Sequence, residues 1–71
     1  MGLIKRFEDD KDELGEKAAK AALLDTPTER LRAITAVFQE AGERANAYAN
    51  PMFAARELVQ VAVRAFHLER T

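Results

Sequence analysis

Cysteine and serine are both missing from these 71 residues, histidine occurs once and proline only twice. Without cysteine there is neither a disulfide nor a thiolate for structural zinc, and His67 alone cannot replace a ligand set. The loss of serine as well leaves His67 with neither of the two usual nucleophiles to activate. Glu-x-x-His pairs, which a helix-borne di-iron site needs, do not occur either. The expectation is a protein that is not an enzyme and that carries no cofactor and no metal.

A dominant charge is absent too. Acidic and basic residues are interspersed at a formal net charge of −1, so no overall field pulls the chain onto nucleic acid or an anionic membrane. No apolar run approaches the ~20 residues of a membrane span. Met1 to Phe7 is too short, and too soon followed by acid, to act as a secretory signal. The expected address is the cytoplasm.

What is present is a helical vocabulary: Ala, Leu, Glu, Lys, Arg and Gln fill the chain. The two prolines punctuate it. Thr26-Pro27-Thr28-Glu29 is a capping box, in which the Thr26 hydroxyl accepts from the Glu29 N–H and the Glu29 carboxylate reaches back to the Thr26 N–H. Asn50-Pro51 repeats the signal, because proline pushes Asn50 out of the α region and Asn is a favoured cap. The fold class is therefore all-α: three helices, about residues 8–24, 27–48 and 51–69, joined by connections of one or two residues. Asp9 is one starting point for the first helix and Leu3 an earlier one, with residues 1–7 read as a frayed start that packs Leu3 and Phe7 onto the bundle. The acidic run Glu8 to Glu13 reads as negative charge at a helix N-terminus rather than a cation site, because it lacks the spacing and turn glycine of a calcium loop.

Projection at 100° per residue puts Leu31, Ile34, Val37, Phe38, Ala41, Gly42, Ala45, Tyr48 and Ala49 within an arc of about 140° on helix two. Ala41, Gly42, Ala45 and Ala49 would let another backbone come close. On helix one the stripe Leu3, Phe7, Leu14, Ala18, Ala21 is interrupted by Asp10 and Lys11, which makes it an accessory element. Helix three differs: its apolar residues cover about 220° in two sub-faces. One holds Ala54, Leu58, Val61, Ala65 and Leu68; the other holds Ala55, Val59, Ala62, Val63 and Phe66. With helix two covering one sub-face and helix one offering few large side chains, a second copy is the expected cover for the other. A chain this short buries only about 60% of its unfolded surface, so such cover would matter.

The sequence thus points to a helical-bundle homo-oligomer, most simply a two-fold dimer, assembled through Leu58, Val59, Ala62, Val63 and Phe66. Arg56, Gln60, Arg64 and His67 form a candidate partner-facing stripe beside that seam. The expected function is a small non-enzymatic protein–protein interaction module, an adaptor or regulator. The alternative is a nucleic-acid-binding regulator competent only as a dimer, when two copies of Arg56, Arg64 and Arg70 come together. The Ala- and Arg-rich texture is common in small bacterial and phage proteins.

Overall fold

The computed structural model describes residues 3–71, with side chains from Lys5 onward. The three helices are α1 (Leu3–Ala22), α2 (Pro27–Ala45) and α3 (Pro51–Arg70). No strand occurs among the described residues. Both proline starts are where the capping chemistry places them. Thr26 Oγ1 accepts from the Glu29 N–H at 3.1 Å, and Asn50 Oδ1 accepts from the Phe53 N–H at 3.1 Å. One detail of the capping box differs, because the Thr26 hydroxyl donates to Glu29 Oε1 at 2.9 Å. A hydroxyl can accept and donate at once, so the carboxylate closes the box through Thr26 Oγ1 instead of the backbone.

The helix ends are corrected. α1 starts at Leu3, so the turns expected to fray are helical from there, while residues 1 and 2 and the Leu3 side chain lie outside the described parts. It stops at Ala22, and the link to α2 is four residues long, 23–26. α2 stops at Ala45 and not at Tyr48. Its end tightens through bonds from the N–H groups of Asn46, Ala47 and Tyr48 to carbonyls three residues back, which leaves a five-residue link, 46–50.

Antiparallel pairing of α1 with α2 is fixed by Lys17 meeting Glu40 and Asp10 meeting Arg44. Parallel pairing of α1 with α3 follows from Gly15 opposite Val61 and from Arg70 donating to the Ala22 carbonyl at 3.4 Å. The result is an up-down-up bundle of 38 × 17 × 15 Å. Its core is Leu14 and Ala18 from α1, Ile34, Val37 and Ala41 from α2, and Leu58 and Ala62 from α3.

Helix one is the reverse of an accessory. The most extensive of the three pairings is α1 with α3, and Leu14, Ala18 and Ala22 are fully buried. Cover for α3 does not require large side chains where small ones bring the backbones together. A Cβ added at Gly15 would lie 3.4 Å from Val61 Cγ1, so the Val61 side chain packs toward the space that the glycine leaves open. Gly42 behaves otherwise: nothing lies within 4 Å of its missing side chain. On that face Ala41 and Ala45 turn inward, while Gly42 and Ala49 remain exposed.

Leu14 and Leu58, both 0% exposed, are the two largest fully buried side chains. Truncating either to alanine in equilibrium denaturation should cost about 2–5 kcal/mol, a large share of a small domain's stability. Leu31→Ala, at 66% exposed, should stay within about 0.5 kcal/mol. A mild Leu14→Ala would mean that α1 is dispensable after all.

Candidate interaction face and the network behind it

The five residues expected to form one intermolecular seam are divided by the fold. Leu58 and Ala62 are fully buried in the chain's own core. They stand on the side of α3 that both α1 and α2 cover, so no second molecule can reach them in the folded chain. Val59 and Phe66 are half-buried and pack against that core. Val63 alone is open, at 48%. What remains of the seam is a ridge of Val63 flanked by Val59 and Phe66. Leu31, Phe38 and Gly42 occupy the neighbouring flank of α2 by helical projection.

The stripe beside it faces solvent. Arg56, Arg64 and His67 are exposed, and Gln60 is half-buried between them. Phe53, 57% exposed, lies within the same arc of about 80°. Arg70, assigned to a nucleic-acid surface in the alternative reading, turns instead over the end of α1 to the Ala22 carbonyl. Among the described residues, the side chains of Arg56, Arg64 and His67 make no ion pair and no hydrogen bond, whereas Lys17 and Arg44 are tied to carboxylates and Arg30 donates to the Leu24 carbonyl.

The most connected polar group of the molecule went unread in the sequence. Asp10, at 8% exposed, sits in the apolar stripe of α1, one turn before Leu14. Its carboxylate accepts from Arg44 Nη1 at 2.6 Å and from the Tyr48 hydroxyl at 2.5 Å. Arg44 also reaches Glu13 Oε1 at 2.8 Å and Glu40 Oε2 at 2.6 Å, and Lys17 closes the far side of Glu40 at 2.8 Å. Phe7 meets the Tyr48 ring edge-on at 5.2 Å between centroids, and the Arg6 guanidinium lies 5.9 Å from the same ring. Arg44 and Tyr48, spaced i, i+4 at the end of α2, were the available signal, together with a carboxylate inside an apolar stripe.

The network's electrostatics follow from these contacts. Burial works against the Arg44 charge, but hydrogen bonds to Asp10, Glu13 and Glu40 outweigh it, so the guanidinium holds its proton more tightly than usual. The Lys17 hydrogen bond, helped by Arg44 and opposed by burial, holds the Glu40 carboxyl below the ordinary glutamate range. Burial, then the bond to Asp10, pushes the Tyr48 phenol up to about 12. These are the properties of a structural clamp between α1 and α2. Among the described residues, no three His, Asp or Glu side chains converge as metal ligands would.

Tyr48 is the sole tyrosine, so its ionisation is directly readable. Phenolate absorbance of the folded protein should titrate near pH 12, and at a lower pH, still above the ordinary value of about 10, in an Asp10→Ala variant that keeps the ring buried. The folded state keeps the phenol proton that the unfolded state loses first. Stability from this contact is therefore complete below about pH 10 and declines as the pH rises toward 12. A wild-type midpoint at the ordinary value would show that the phenol does not donate to Asp10. No helix is long and apolar enough to cross a membrane. Comparisons with protein-family models, with curated proteins and with solved structures each find no match for this chain.

Proposed function

We propose that this chain is a non-enzymatic helical interaction module, an adaptor or regulator that works as a homo-oligomer and presents the outer face of α3 to another protein. The observation that carries the reading is Val63. A β-branched residue in the middle of a well-packed helix stands 48% exposed, with Val59 and Phe66 half-covered beside it and Leu31 open on the adjacent helix. Val63 in water, with Val59 and Phe66 only half covered beside it, favours a covering partner. A second copy supplies a matching ridge by symmetry.

The size of the surface agrees in direction. The chain exposes 4941 Å², against roughly 4,400 Å² expected for a compact monomer of this mass. Part of that difference belongs to the elongated shape. The ridge of Val63 with Val59 and Phe66 is a small surface beside the ~800 Å² per partner of a standard interface, so self-association through it belongs to the weak, concentration-dependent class. Leu58 and Ala62 no longer belong to the seam; Leu31, Val59, Val63 and Phe66 constitute it.

The nucleic-acid reading has less support. It called on Arg56, Arg64 and Arg70, and Arg70 is engaged with the end of α1, which leaves two free arginines per copy for phosphate contacts.

Sedimentation equilibrium or light scattering over a concentration series tests the seam. The wild-type mass should climb from 7.9 kDa toward twice that value as concentration rises, and Val63→Glu should hold it at the single-chain value with unchanged helix content. A wild-type mass that stays at one chain up to millimolar loading rules out the oligomer, and an unaltered Val63→Glu profile rules out this ridge as its site.

A further inference from the structure

The outer side of α3 carries charge that the fold does not use. Arg56, Arg64 and His67 are exposed and, among the described residues, make no ion pair or hydrogen bond. Of the two carboxylates of the helix, Glu69 projects to the opposite side, while the half-buried Glu57 borders the strip within about 20° of Arg64, at the edge facing α1. The strip therefore carries two arginines, with one carboxylate at its border. Phe53, Arg56, Gln60, Val63 and His67 also follow one another at spacings of three and four residues, the pattern that keeps a straight seam facing a second helix. Exposed apolar side chains, Phe53 and Val63, sit within it.

We infer that this strip is a docking site for an acidic amphipathic helix of another protein. Carboxylates on that helix would pair with Arg56 and Arg64, and its apolar edge would cover Phe53 and Val63. A second copy seated on the Val63 edge would not occupy Phe53, Arg56 and Arg64, because strip laid on strip brings like charges together. Among the described residues, the acid-bearing outer face of α1, with Asp9, Asp12 and Glu16, has no exposed large apolar residue within the helix to lay over Phe53; Leu23 follows only after its end. Phosphate backbones would satisfy the cations but leave both apolar side chains uncovered. The inference rests on the reading of the chain as a protein-interaction module, though not on the Val63 seam being a dimer contact.

The probe is a pair of labelled synthetic helical peptides that share one leucine edge and carry either glutamates or lysines beside it, followed by fluorescence anisotropy. The glutamate peptide should bind saturably to the full chain, and weaken as salt is raised from roughly 50 to 500 mM. Arg56→Glu with Arg64→Glu should reduce its affinity at least about tenfold, while circular dichroism and the wild-type mass profile stay unchanged. The milder Arg56→Gln/Arg64→Gln pair should give an intermediate loss. Equal binding of the lysine peptide, indifference to both arginine pairs, or no binding at low salt overturns the inference. Tighter binding of a DNA duplex or of phosphatidylglycerol vesicles than of the glutamate peptide overturns it too. Val63 belongs to both surfaces, so Val63→Glu should abolish the rise in mass and weaken the glutamate peptide, whereas Phe53→Ala should weaken the peptide and leave the mass profile unchanged; that second variant separates the two proposals.

Discussion

Small side chains at the α1–α3 contact set the terms for the rest of this molecule. Leu14 and Leu58 are the largest fully buried side chains, and the space around them is closed by Ala18, Ala41 and Ala62. Such a core is dense only if the helices come close, and Gly15 opposite Val61 is where that closeness is visible. The gain from burying each alanine is small, so adhesion is spread over many short contacts and depends on alignment. A shift of one helix along another would separate these contacts together.

That dependence gives the polar network its role. Arg44 holds two carboxylates of α1 and one of α2, which fixes how far α1 can slide along α2. Isolated surface ion pairs are worth little, but a carboxylate at 8% exposure with two donors is different. Asp10 without Arg44 and Tyr48 would be a buried charge with nothing to balance it, so misaligned packings are penalised as well as the native one favoured. The same allocation of charge explains the surface of α3: Arg44 and Lys17 are committed to carboxylates across the α1–α2 contact, and the arginines of the outer strip are not.

Composition and capping made much of the fold legible. Thr26, Asn50 and the prolines that follow them identify two helix starts, because those residue types have few other ways to satisfy a helix N-terminus. The three helices and the absence of strand follow from that and from periodicity. The ends were less legible, since three-residue backbone bonds at Asn46 to Tyr48 leave no residue-type signature. The role of α1 was misjudged because apolar bulk was taken as the measure of cover. A stripe of Ala18, Ala21, Ala22 and Gly15 looks weak by volume, yet it allows close approach, and Asp10 looked like an interruption because its partners lie more than thirty residues away. On α3 the outer strip of Arg56, Gln60, Arg64 and His67 was legible, since polarity alone marks it. The seam was only partly so: periodicity puts Leu58 and Ala62 on an apolar face but does not say whether that face meets the same chain or another.

Tyr48 carries one more consequence. It is the only tyrosine in a chain without tryptophan, and its ring touches Phe7 while its hydroxyl is held by Asp10. Near-ultraviolet emission from the unlabelled protein therefore originates at one spot, where the beginning of α1 rests on the end of α2. Partial opening of that corner would alter the fluorescence while leaving far-ultraviolet helicity almost untouched, so fraying can be told apart from global melting without any added dye.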